Sequence, residues 1–313
     1  MTGDHPIEMV NLRKDYKEFV AVDDLTLNIE KNSFTGFLGP NGAGKSTTLK
    51  ILTNLSRATS GNAYINGADV TTDYKTALIG VGSVVETPEF YLYLTPKELF
   101  SYTGEIFGMS KESISAQTEE ILSLVKMTDW TNKKLGTFSK GMKQRIALGI
   151  SLMNEPNIII LDEPTSGLDP RGMAETRKIL KDIRDKSKNL TILMSSHLLH
   201  EVADLCDRVA LINRGKLLLH DNIEAVTGSN KTRRISLKMI DGPTKEAVSQ
   251  ISGLTNVQEA KISGSVIEIL FAGDDNDQLR FFSEVGSLGL KVFSLYEEDA
   301  LESVYLNLIA DSR

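Results

Sequence analysis

At 313 residues with 41% hydrophobic content, the chain is long enough for one large domain and a smaller one, each with a packed core. Asp and Glu exceed Lys and Arg by 42 to 35, a net charge of −7, so no general positive field draws it to nucleic acid or to an anionic membrane, and recruitment needs a specific partner. The longest apolar run near the middle, "IIIL" at 158–161, falls far short of the ~18 residues of a spanning helix. One cysteine, Cys206, excludes an internal disulfide, fits a reducing cytoplasm and reads as a small buried residue.

The opening "MTGDHPIEMV" lacks the basic segment and apolar core of a secretory leader. Over 7–38, short apolar runs alternate with polar ones, predicting a small sheet that leads into a buried strand ending at Gly39. "GPNGAGKST" (39–47) then satisfies G-x-x-x-x-G-K-[ST], between that strand and helical "TTLKILTNL". Its residues Gly39, Pro40, Asn41, Gly42, Ala43, Gly44, Lys45, Ser46 and Thr47 form a phosphate loop. The glycines let backbone N–H groups and a helix N-terminus face the phosphates. Lys45 is expected to bridge β- and γ-phosphates and the Ser46 hydroxyl to ligate Mg²⁺.

From 95 to 153 the pattern is helical. Thr95 is placed to cap, Pro96 to open and Glu98 to close a capping box, and Ile114, Ile121, Leu124 and Val125 share a helix face. Within this stretch "TFSKGMKQR" (137–145) sets a serine and a glycine at the start of an amphipathic helix, with Met142, Ile146 and Met153 inward. A second phosphate grip of this kind has no duty in a site that already owns a phosphate loop.

Strand-like "NIIILD" (157–162) and "LTILMSS" (190–196), with helical "AETRKILKDIRDK" (174–186) between them, form a βαβ unit with continuously apolar strands, the mark of a buried parallel sheet. The first strand carries Asp162 and Glu163 to the sheet's C-terminal end, where open α/β sheets bind ligands. One carboxylate there can hold the Mg²⁺ shell while its neighbour takes a proton from an attacking water. His197 follows the second strand, at the same edge, within reach of a γ-phosphate. "HLLH" lacks the third ligand of a zinc site. Beyond 225, "RRISLKMI", "KEAVSQISGL", "NVQEAKI", "SVIEILF", "DQLRFFSEVGSL" and "KVFSLY" read as βαββαβ with a closing helix, a ferredoxin-like order. The acids of "GDDNDQ" (273–278) read as helix capping, since the alternating pattern of a calcium loop is missing.

"GPNGAGKST", "FSKGMKQR", "IIILDEPTSGLD" and "MSSH" stand in the order and spacing of the nucleotide-binding subunits of ATP-binding-cassette (ABC) transporters, which the chain resembles from residue 7 to about 224. The resemblance implies an α/β P-loop NTPase cassette over 1–224, with a RecA-like core and a helical subdomain at about 88–154, and leaves 225–313 as a small α+β ferredoxin-like accessory domain. It implies an ATPase that binds ATP and Mg²⁺, with Tyr16 stacked on adenine. It also answers the question of the second grip. Ser139 and Gly141 would complete the site of another cassette, either a second copy or a related chain, in a head-to-tail dimer, with Asp169 near that partner. A separate transmembrane permease would hold the pair at the cytoplasmic face of the membrane.

Two departures stand out. Lys140 and Lys143 replace the family's usual glycine and glutamine, and Glu86 in "VVETPEFY" replaces the glutamine that contacts Mg²⁺ and the permease. As a carboxylate Glu86 can still ligate Mg²⁺, but it would repel the γ-phosphate unless paired with that cation or protonated. Both features resemble the branch that serves antibiotic- and bacteriocin-resistance exporters, whose cargo is drugs, peptides or lipids. A soluble cassette ATPase acting on ribosomes or DNA, or a cassette with a regulatory sensor domain, is the alternative reading.

Overall fold

The computed structural model describes residues 5–187, 189–228, 232–297 and 300–311; residues 1–4, part of the stretch read for a leader, lie outside these. The chain divides into two compact units, Met1–Asp221 and Asn222–Arg313.

In the first unit, β1 (Ile7–Tyr16) and β2 (Phe19–Ile29) pair antiparallel, and β3 (Phe34–Leu38) follows. After α1 (Lys45–Leu52), β4 (Ser60–Ile65) returns beside β1 with the two-residue β5 (Ala68–Asp69), giving a four-stranded sheet in the order β2-β1-β4-β5. Alternation along β1 and β2 buries Ile7, Met9, Leu25, Leu27 and Ile29, which form one core with Leu49 and Leu52 of α1 and Phe37 of β3. Burial of each such side chain contributes roughly 1.5–3 kcal/mol.

The short α2 (Tyr74–Ala77) precedes β6 (Val81–Val84), then α3 (Pro96–Ile106) and α4 (Lys111–Leu124). α3 has the full capping box, the Thr95 hydroxyl accepting from the Glu98 N–H and the Glu98 carboxylate accepting from the Thr95 N–H, worth ~1 kcal/mol. Ile114, Ile121 and Val125 are buried. Two 3-10 turns, Thr128–Trp130 and Leu135–Thr137, lead into α5 (Lys140–Ser151), which buries Ile146 while Met142 is half-buried.

β7 (Ile158–Asp162), α6 (Pro170–Lys186), β8 (Thr191–Ser196), α7 (Leu199–Leu205), β9 (Arg208–Asn213) and β10 (Lys216–Asn222) complete a six-stranded sheet in the order β10-β9-β3-β8-β7-β6. β6, β7, β8, β3 and β9 run parallel. Every residue of β3 and β8 is buried, as continuous apolar strands covered on both faces require. α6 begins earlier than its apolar periodicity suggested because Asp169 caps it and Pro170 opens it. Cys206 is buried, and burial pushes its thiol well above the ordinary range.

The second unit runs α8 (Ile223–Gly228), β11 (Thr232–Met239), α9 (Lys245–Ser252), β12 (Val257–Ser263), β13 (Val266–Ala272), α10 (Asp275–Ser287), β14 (Val292–Glu297) and α11 (Ala300–Asp311). Its sheet order is β12-β13-β11-β14, with every neighbour antiparallel, the split βαβ arrangement. Ile235, Leu237, Ile269, Phe271 and Phe281 form its core. The acidic run at 274–277 is a capping box between Asp274 and Asp277, and Asp275 pairs with Arg233.

Candidate active site

The parallel order puts the ends of β6, β7, β8 and β3 along one edge of the sheet. Between β3 and α1 the backbone curls through residues 39–44, with the Ala43 N–H donating to the Pro40 carbonyl at 3.1 Å. Gly44 sits at φ 104°, and a Cβ there would stand 2.3 Å from the Ala21 carbonyl oxygen, so a larger residue is excluded on both counts. No side chain caps α1, which leaves its first N–H groups and positive end to an anion.

Lys45 is 5% exposed. Its Nζ donates to the Gly39 and Pro40 carbonyls at 2.8 and 3.1 Å and stands 3.5 Å from Glu163 Oε1. Burial lowers its pKa below the ordinary lysine value, and the Glu163 carboxylate opposes the shift.

The register of β7 against β8 sets Asp162 opposite Ser195. The Ser195 hydroxyl donates to Asp162 Oδ1 at 2.6 Å and accepts the Glu163 N–H at 2.9 Å. Ser46 donates to the same Asp162 oxygen at 3.1 Å. Glu163 takes φ 44°, a left-handed conformation that costs about 1–3 kcal/mol and persists where its surroundings hold it. Its Oε1 faces Lys45, while Oε2 lies 3.1 Å from His197 Nδ1. Lys45, Ser46, Asp162, Glu163 and His197 therefore form one cluster. Ser195 carries no motif of its own; its signal is its register opposite Asp162.

Ser46 and Asp162 offer hard oxygen atoms beside the phosphate loop, the donor type that suits Mg²⁺ when substrate phosphates and water complete its shell. Glu86 has φ 74° and pairs closely with Lys50, one helical turn beyond Ser46 on α1. The hydrogen bond to Glu86 raises the Lys50 pKa, and the ammonium offsets the charge that a carboxylate brings in place of an amide. Glu86→Gln is expected to keep ATP turnover within about threefold of wild type, since so exposed an ion pair adds little; a larger loss of phosphate release would show that the negative charge is needed.

Tyr16 ends β1 half-exposed, with Lys14 Nζ 4.9 Å from its ring centroid. Ser139 caps α5 by accepting the Met142 N–H at 3.3 Å, and Asp169 caps α6 by accepting the Gly172 N–H at 2.9 Å. Neither hydrogen bond reaches the lysine cluster. The start of α5 lies instead on the 165–169 loop: a Cβ on Gly167 would meet Lys140 Nζ at 2.2 Å, and one on Gly141 would meet Leu168 Cδ2 at 3.9 Å.

A parallel sheet that presents a phosphate loop after one strand, and a carboxylate touching an imidazole after the next two, defines a P-loop nucleotide-hydrolysing protein. Residues 22–166 match the ABC transporter family. The chain is 34% identical to the bacitracin transport ATP-binding protein BcrA of Bacillus licheniformis over 97% of both chains. It is 37% identical to the lantibiotic transport ATP-binding protein SrtF of Streptococcus pyogenes, over 68% of this chain and 89% of that one. A dimeric ATP-binding cassette in a post-hydrolysis state, bound to ADP and Pi, superposes with a TM-score of 0.62 at 26% identity, covering 69% of this chain and 98% of that one. The chain belongs to the ABC transporter family, as its ATP-binding and ATP-hydrolysing subunit.

Proposed function

We propose that this cassette closes head to tail with a second copy or a related cassette over two ATP molecules, and that hydrolysis reopens the pair to drive a separate membrane permease that exports drugs, peptides or lipids. The observation that carries this reading is the division of the two phosphate grips. Lys45 and its loop belong to the hydrolytic cluster with Glu163 and His197, whereas Ser139 caps its own helix and the start of that helix, at Lys140 and Gly141, lies against the 165–169 loop. A serine and a glycine at a helix start, set apart from the lysine cluster, fit a site shared between chains.

At each site the loop N–H groups and Lys45 hold the β- and γ-phosphates, and Tyr16 supports the adenine. Ser46 and Asp162 would hold Mg²⁺, which would supply positive charge against the phosphates. Glu163 accepts a proton from water as the water oxygen bonds to the γ-phosphorus; the bond from that phosphorus to the β–γ bridging oxygen breaks, releasing ADP and phosphate. His197 hydrogen-bonds the γ-phosphate and orients Glu163.

The described residues contain no helix long and apolar enough to cross a membrane. Tyr91, Leu92 and Tyr93, 58, 53 and 67% exposed, follow Glu86 as an apolar surface suited to the permease. Similarity over 97% of both chains to a bacitracin transport ATP-binding protein supports the exporter reading. The test is mass spectrometry of proteins that co-purify with tagged Glu163→Gln from detergent-solubilised native membranes in ATP. A polytopic membrane protein in comparable amount is expected. Ribosomal or chromosomal proteins alone would replace this reading with that of a soluble cassette ATPase.

A further inference from the structure

Glu201, on α7, is 1% exposed. An acid is costly to bury, and each hydrogen bond it keeps therefore needs a reason. Its Oε2 accepts from the Thr165 hydroxyl at 2.9 Å and from the Ser196 hydroxyl at 3.1 Å, while Oε1 is buried with no hydrogen-bond partner among the described residues. Thr165 and Ser196 are themselves 3% and 2% exposed. Thr165 lies two residues after Glu163 and Ser196 immediately before His197. Since Glu163 and His197 meet at 3.1 Å, the chain and these contacts close a ring from Glu163 through Thr165, Glu201, Ser196 and His197.

We propose that Glu201 is a positioning residue for ATP hydrolysis, holding the Glu163 and His197 loops at one fixed separation; the inference rests on Glu163 being the proton acceptor. The left-handed backbone at Glu163 supplies the need. Ser195 holds the Glu163 N–H from one side, and the Thr165–Glu201 bond holds the far end of the same turn. Ser196 also accepts the Leu198 N–H at 3.0 Å, which fixes the turn carrying His197. Both hydroxyls use a single carboxyl oxygen, whose two lone pairs suffice for both. The unpartnered second oxygen then distinguishes positioning from packing. Glu201→Gln retains an oxygen for the two hydroxyls and buries an amide donor where nothing accepts it, so it costs stability but keeps the tie. Glu201→Ala removes the tie.

The experiment compares ATP turnover and thermal unfolding of the full chain in Glu201→Ala, Glu201→Gln, Thr165→Val and Glu163→Gln. Glu201→Ala and Thr165→Val are expected to lower kcat about 10- to 100-fold, with the KM for ATP within about threefold, because the loops lose their mutual placement rather than their hold on nucleotide. Glu201→Gln is expected to recover most of that loss while melting below wild type. Thr165→Val, which deletes one hydroxyl at constant volume, decides the matter if Glu201→Ala does not fold. Folded Thr165→Val with wild-type kcat would overturn the proposal, as would Glu201→Gln and Glu201→Ala losing equal activity. Should Glu163→Gln itself turn over at the wild-type rate, the proton acceptor on which the tie acts is gone and both readings fall together.

Discussion

Glu163→Gln is expected to bind ATP as tightly as the wild type while its turnover falls about 100- to 10,000-fold, the range that a positioned general base supplies. The placement of the carboxylate is the reason. One oxygen faces Lys45 at 3.5 Å and the other meets His197 Nδ1 at 3.1 Å, so the group sits between the phosphate-binding ammonium and an imidazole from the next strand. An amide of the same shape can accept the imidazole hydrogen bond, yet it cannot hold a proton taken from water. Phosphate release measured beside calorimetric ATP binding separates the two effects. Equal phosphate release by mutant and wild type would assign the proton to another acceptor. A parallel loss of binding would mean that the Glu163 charge is needed to keep the buried Lys45 ammonium in place.

The sequence discloses those parts of the site whose residue types are forced by local backbone geometry. Gly44 is visible in a motif because its φ and the nearby Ala21 carbonyl admit nothing larger. Thr95, Pro96 and Glu98 announce a helix start because the groups they satisfy lie within four residues. Asp162, Glu163 and His197 are legible because two apolar strands must end at the same edge of a parallel sheet.

Pairings between distant segments leave a weaker trace. β4, "SGNAYI", has exposed residues over its first half and shows no strict alternation; it is a strand because β1 pairs with it. Lys50 and Glu86 meet only because α1 and the segment after β6 approach each other. Ser195 depends on the register of β8 against β7, and Glu201 on α7 folding back toward the Thr165 turn. A serine within an apolar strand or a glutamate in a short helix carries no sign of such duties. The departures from the family pattern also gain meaning only in three dimensions: the added charge of Glu86 is matched by Lys50, and Lys140 rests against Gly167.

Lys45→Ala is expected to weaken ATP binding itself about 100-fold, roughly 3 kcal/mol, the scale of losing charge-assisted hydrogen bonds in a desolvated site. Lys45 is already desolvated before nucleotide arrives, with two of its donors resting on the Gly39 and Pro40 carbonyls. Much of the cost of bringing a cation into the loop is therefore met in folding, and the incoming phosphates gain a preorganised charge. The substitution has a second consequence. Without the ammonium, the Glu163 carboxylate beside the phosphate loop loses the cation that faces it at 3.5 Å, so repulsion of the incoming phosphates adds to the lost attraction. The double variant Lys45→Ala with Glu163→Gln tests this coupling by calorimetry. If repulsion contributes, the double variant binds ATP more tightly than Lys45→Ala alone. Equal affinity of the two would confine the effect to the missing hydrogen bonds, and unchanged affinity in Lys45→Ala would remove this lysine from nucleotide binding.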